Sequence, residues 1–214
     1  MDSKKLFFKF GSMNSGKTLQ LLSTAFNLEE NGIQIMVLKP SLDTRDGQGV
    51  IKSRAGLKRK CIMVDKDINL YKAIKAYKNV LASQLEMLKW VIVDEAQFLT
   101  VDQVDQLSDV VDFLDVNVMC FGLRTDFQSH LFEGSKRLFE IADDIEEIKS
   151  SCACGEKKTS INARFDEYFR PTNDMYAITG SVDGPFASLF FGKEDIEKFN
   201  INENEYLKIV DELY

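Results

Sequence analysis

The octapeptide "GSMNSGKT", residues 11–18, directly follows "KLFFKF", an apolar and aromatic run of strand length. No other feature restricts the fold so sharply. Gly11, Gly16, Lys17 and Thr18 satisfy G-x-x-x-x-G-K-[ST], a loop whose glycines let successive backbone N–H groups turn toward phosphate oxygens. A helix starting near Lys17 adds the positive end of its dipole. In such a loop Lys17 reaches the β- and γ-phosphates and the Thr18 hydroxyl faces Mg²⁺. A glycine turn beside an ordinary surface lysine would fit the same letters. The strand before and the helix after favour phosphate.

The rest of the chain supplies the sheet that such a loop needs. "TLQLLSTAFNLEENG" has apolar residues at helical spacing and stops at Gly32. "IQIMVLKP" reads as a buried strand ended by Pro40, and "SLDTRDGQGVIKSRAG" as a glycine-containing loop. "INLYKAIKAY" reads as a helix, "WVIVDEAQF" as a strand ending in two carboxylates, "VDQVDQLSDVVDFLD" as a helix and "VNVMCFGL" as a strand. Strands alternating with helices predict a parallel sheet covered on both faces. No element is assigned between Leu123 and residue 150. There the texture changes, with "SSCACGEKK" opening a turn-rich region that runs to about Phe191. The domain division expected is 1–149 for the nucleotide-binding unit, 150–192 for a small second unit, and 193–214 for an acidic helix or tail.

Composition excludes some function classes. A net charge of −7 argues against wrapping duplex DNA, which needs a basic face, so no nucleic-acid partner is expected. The longest uncharged apolar stretches are strand-sized, so no membrane span is expected. The N-terminal apolar run is too short for a signal peptide. Four cysteines, at 61, 120, 152 and 154, then suggest reduced thiols or a metal site in a cytoplasmic protein.

Phosphoryl transfer needs an acid to position the metal and a group to accept the nucleophile's proton. "VIVDEAQF" offers both at a strand end, where ligands of open α/β sheets sit. Asp94 is placed for the magnesium shell, and Glu95, pointing elsewhere, for an acceptor hydroxyl.

"GSMNSGKT", "LKPSLDTRDG", "SRAG", "VDEAQFL" and "FGLRTDF…LFEGS", in this order, resemble the thymidine kinases of bacteria, many viruses and animal cytosol. "DEAQ" alone is weak, because helicases carry it too; "GLRTDF" together with Met13 is far more specific. The resemblance covers about Leu6 to Arg170 closely and continues more loosely to Lys193. It implies an α/β fold, a P-loop parallel sheet (RecA-like) with a small C-terminal lid domain. It implies ATP-dependent phosphorylation of the 5′-hydroxyl of thymidine, with Mg²⁺. Nucleotide contacts would run through Gly11, Ser12, Met13, Asn14, Ser15, Gly16, Lys17 and Thr18, with Asp94, Glu95, Ala96 and Gln97 opposite. Glu95 matches the general base and Arg54 an arginine near the transferred phosphate. The thymine pocket would use Met13, Gln97, Phe98, Leu123, Phe127 and Phe132, closed by the lid segment "AITGSVDGPFASLFF". There Phe186 stands where relatives carry tyrosine. Many relatives anchor the lid with zinc. Cys152 and Cys154 match the first ligand pair, but Phe190 and Lys193 occupy the second, so zinc is expected to be absent. Cys61, Cys120 and His130 are poor substitutes. A homotetramer is implied by the family. Two other readings stand beside this one: a nucleoside kinase with shifted base preference, and a nucleotide-binding regulator without catalysis.

Overall fold

The computed structural model describes residues 3–43 and 47–150. Strands β1 (Leu6–Gly11), β2 (Gln34–Pro40), β5 (Ile62–Val64), β6 (Leu88–Val93), β7 (Asn117–Leu123) and β8 (Asp144–Glu147) form one sheet in the order β5-β2-β6-β7-β1-β8. Every pairing in it is parallel. Helices α1 (Lys17–Glu30), α2 (Leu70–Ser83), α3 (Val101–Leu114) and α4 (Glu133–Ile141) cover its faces. A separate antiparallel hairpin, β3 (Val50–Lys52) with β4 (Lys58–Lys60), lies in the segment read from sequence as loop. That expectation is corrected: Ile51 is fully buried, and one buried residue in a three-residue strand gives no readable period.

Why the central strands read as unbroken apolar runs is plain from where their residues go. Successive side chains alternate between faces. Met36, Leu38, Val91, Val93, Val118 and Cys120 join the core beneath α2, α3 and α4. Ile35, Val37, Ile92, Met119 and Phe121 join a second core against Leu21, Leu22 and Ala25 of α1. Each such side chain contributes roughly 1.5–3 kcal/mol when fully buried. Both faces are covered, so the middles of the strands are apolar on both.

Local signals end the elements where the site needs them to end. Gly32 sits at φ 72° and donates its N–H to the Glu29 carbonyl, closing α1. Thr100 and Gln103 form a capping box that starts α3 just after the carboxylate turn. The Gln103 amide also donates to the Asp65 and Ile68 carbonyls, fixing the approach to α2. Helix α2 runs a turn and a half past the expected "INLYKAIKAY", because Leu81 continues the buried stripe of Leu70 and Ile74. The RecA-like α/β class expected from the sequence is the fold observed. The lid segment, Phe186, Cys152 and Cys154, and the acidic C-terminal stretch lie outside the described residues.

Candidate active site

The site lies at the carboxyl ends of β1, β2, β6 and β7. At β1 the chain can enter the phosphate loop only through glycine. A Cβ on Gly11 would sit 2.5 Å from Ser15 Oγ and 2.6 Å from the Ile148 carbonyl. Asn14 at φ 58° and Gly16 at φ 82° then curl the loop into α1. No side chain caps that helix, so its first N–H groups are left for a ligand. The Ser12 hydroxyl is buried without a hydrogen-bond partner. Lys17, nearly buried, folds back to donate to the Ser12 carbonyl at 2.5 Å and approaches the Gly11 carbonyl and Ser15 Oγ at 3.4 Å. An ammonium held over a ring of backbone groups, beside an orphaned hydroxyl, is a cradle for an anion.

Strand β6 delivers the acids. Its last hydrogen bond, Asp94 N–H to the Leu38 carbonyl at 3.0 Å, draws Asp94 in beside β2. Asp94 is 3% exposed. Burial first, and then the neighbouring Glu95 carboxylate, push its carboxyl up to about 7, against the pull of Lys39 and Lys17. Lys39 is fully buried and pairs with Asp43 at 3.1 Å. Neither Lys39 nor Asp43 was singled out from sequence. The signals were a lysine closing the apolar run "IMVLKP" and the letters of the motif "LKPSLDTRDG".

Glu95 adopts φ 51°, ψ 39°, a left-handed conformation uncommon for a residue with a side chain. This turn separates it from Asp94 and starts a single 3₁₀ turn, Ala96–Phe98. The strand therefore ends at Val93, not at Phe98 as "WVIVDEAQF" suggested. Gln97, 2% exposed, donates from Nε2 to the Glu95 carboxylate and accepts from the Leu123 N–H at 3.0 Å. The Leu123 carbonyl accepts from Ser135 Oγ at the head of α4. Phe98 and Phe132 meet edge to face at 5.7 Å. The loop after Leu123 is tied by Asp126, whose carboxylate accepts from the N–H groups of Gln128 and His130. Phe127 lies in this loop and Met13 in the phosphate loop, both half-buried.

The structure thus joins Lys17, Asp94, Glu95, Gln97 and Leu123 through electrostatic and hydrogen-bond contacts. Arg54 is different. It sits in the exposed turn between β3 and β4, and among the described residues no hydrogen bond or ion pair links it to Glu95 or Lys17. The hairpin is moored to α1 by the Arg59–Glu29 pair.

Mg²⁺ takes hard oxygen ligands, and Asp94 with Thr18 at the head of α1 supplies that chemistry. The fit shows in Asp94 itself, a buried carboxylate whose charge a cation would compensate. No cluster of three or more His, Cys, Asp or Glu side chains able to hold a metal occurs among the described residues.

A parallel sheet, a glycine-bounded phosphate loop on its first strand and buried acids on a neighbouring strand end define a P-loop nucleotide-binding protein. Comparison with known proteins narrows the class. The thymidine kinase family matches residues 4–183. A thymidine kinase of Streptococcus pyogenes serotype M6 is 45% identical over 159 residues, 73% of this chain and 80% of that protein. Thymidine kinases of Mannheimia succiniciproducens and Zymomonas mobilis are each 46% identical, over 72% and 78% of this chain and 76% and 83% of theirs. Among solved structures, the genome packaging NTPase B204 of Sulfolobus turreted icosahedral virus 2, in complex with ATP-gammaS, is 16% identical. It covers 68% of this chain and 74% of that one, with a TM-score of 0.42. The chain belongs to the thymidine kinase family, whose members are phosphotransferases.

Proposed function

We infer that this protein transfers the γ-phosphoryl group of ATP to the 5′-hydroxyl of thymidine, with Glu95 as general base. The observation that carries the assignment is the split of the two adjacent acids. Asp94 is buried among lysines; Glu95 is turned away by its left-handed backbone toward the Leu123 side.

The loop amides and Lys17 hold the β- and γ-phosphates, and Ser12 Oγ, now unpartnered, accepts or donates to a phosphate oxygen. Mg²⁺, when bound through Thr18 and Asp94, neutralises charge on the phosphate oxygens. Glu95 accepts the proton of the 5′-hydroxyl as that oxygen bonds to the γ-phosphorus and the bond to the β-phosphate oxygen breaks. Phe98, Phe132, Leu123, Phe127 and Met13 form the apolar wall against the thymine ring, with Phe186 closing it. Arg54 acts near the transferred phosphate, as the resemblance implies. Support for these roles is the resemblance, residue by residue, together with the contacts described above.

The remaining expectations belong to the same reading. Cys152 and Cys154 have no recognisable second ligand pair, so the purified protein should hold less than one zinc per chain by elemental analysis. A cytoplasmic protein that binds neither nucleic acid nor membrane is the reading of its charge and apolar patterning; a homotetramer follows by resemblance, and sedimentation tests its stoichiometry. The function itself is tested by presenting ATP with each deoxynucleoside. Thymidine and deoxyuridine should be phosphorylated and the purines refused. A preference for deoxyguanosine or deoxyadenosine would overturn the pocket, and transfer to none would leave only nucleotide binding.

A further inference from the structure

Gln97 is buried, and both ends of its amide are in use. A side-chain amide can face its surroundings in two orientations, and here its neighbours decide. The Leu123 backbone nitrogen can only donate, so the atom facing it at 3.0 Å must be the amide oxygen. The NH₂ group is therefore turned to Glu95, and it can only donate there. The near end of β7 is shaped to permit this. A Cβ on Gly122 would lie 3.0 Å from Gln97 Oε1 and 3.1 Å from its backbone nitrogen. On its other side Leu123 is held through its carbonyl by Ser135, which is fully buried.

We propose that Gln97 is a positioning residue: its amide links the Leu123 end of the thymidine wall to Glu95 and aims the base's carboxylate. The inference rests on the reading of Glu95 as the base. Glu95 rides on an uncommon left-handed backbone conformation, and a carboxylate on a half-buried side chain has several rotamers to choose from. One donor fixed at both ends removes that choice. It also carries any movement of Leu123, the residue facing the nucleoside, to the base. Gln97 needs no contact with either substrate to act in this way.

The test compares five enzymes: wild type, Gln97→Met, Gln97→Glu, Glu95→Gln and the double variant Glu95→Gln/Gln97→Met. Gln97→Met, similar in size without the amide, should lower kcat about 10- to 100-fold, the loss matching one hydrogen bond to a charged group. The KM for ATP should not move. In the Glu95→Gln background the same change should cost less than about threefold, because the group to be aimed has gone. Gln97→Glu keeps an acceptor for Leu123 but faces Glu95 with a like charge, so its kcat should fall further still. Should Gln97→Met fail to fold, Gln97→Glu, its closer isostere, carries the test. An equal loss in both backgrounds, a change in KM alone, or wild-type kcat in Gln97→Glu would each overturn the proposal. A fully active Glu95→Gln enzyme would instead overturn the base assignment, and this inference with it.

Discussion

The two walls of the site are built on different principles. The phosphate wall, Gly11–Thr18 with Asp94, works by charge and backbone direction: a positive-φ loop, an uncapped helix and a buried carboxylate beside lysines. The nucleoside wall, Gln97–Phe98 with Leu123, Phe132 and Ser135, works by packing and by hydrogen bonds already satisfied within the protein. One wall is left incomplete for a ligand; the other is complete and offers shape. Changes to the first should therefore cost activity without stability, and changes to the second should cost both.

The largest break should come at the phosphate wall. Lys17→Met removes the ammonium but keeps the bulk, and kcat/KM for ATP should fall about 10²–10³-fold, as for loss of a preorganised charge contact. Its melting temperature should stay close to wild type, read by calorimetry without nucleotide.

Asp94→Asn sharpens the comparison by separating stability from function. The Asp94 carboxyl binds its proton more tightly folded than unfolded. Its contribution to stability is full below the unfolded value and is lost as pH rises through about 7. The neutral variant should therefore be more stable than wild type at pH 8, by on the order of 1–4 kcal/mol, while transferring no phosphate. That gain should shrink as pH falls toward 4. A lower melting temperature at pH 8 would mean that Lys39 and Lys17 more than offset the burial.

On the nucleoside wall, Gly134→Ala places a Cβ 2.7 Å from the carbonyls of both Ala96 and Leu99. Backbone cannot step aside cheaply, so the variant should lose about 1–3 kcal/mol in denaturant unfolding. Its KM for thymidine should rise as the 3₁₀ turn shifts. The smallest effect belongs to the hairpin mooring. Arg59 holds the Glu29 carboxyl below its ordinary range by hydrogen bond, yet the pair is partly exposed. Glu29→Gln should change stability by less than about 1 kcal/mol, because solvent and salt screen such pairs.

The same contrast explains what could be read in the letters. The phosphate wall is local in sequence. Eight consecutive residues make the loop and two more the acids, so their chemistry survives in a one-dimensional pattern. The apolar strands β2, β6 and β7 were legible for a related reason: burial on both faces keeps residues 35–38, 90–93 and 118–121 unbroken apolar runs. What escaped was non-local or polar. Strand β8, "DIEE", is a charged edge strand known only by its pairing with β1. Helix α4 begins at Glu133 without a side-chain cap and runs for only nine residues, so "EGSKRLFEI" is a short window in which to read a period. The amide of Gln97, which bridges Glu95 to Leu123, reaches a residue 26 positions away, and a glutamine in "DEAQF" does not announce its partner. The Lys39–Asp43 pair was visible only as letters in a resembling motif, because nothing in sequence says that a lysine will be wholly buried.

The central claim is that Glu95 takes the proton while the phosphate wall binds nucleotide without it. The direct measurement is single-turnover phosphoryl transfer from ATP to thymidine by Glu95→Gln, alongside its affinity for ATP. Transfer should be slower by about 10²-fold or more, the usual range for a lost general base, with ATP affinity unchanged. Transfer at the wild-type rate would contradict the assignment outright.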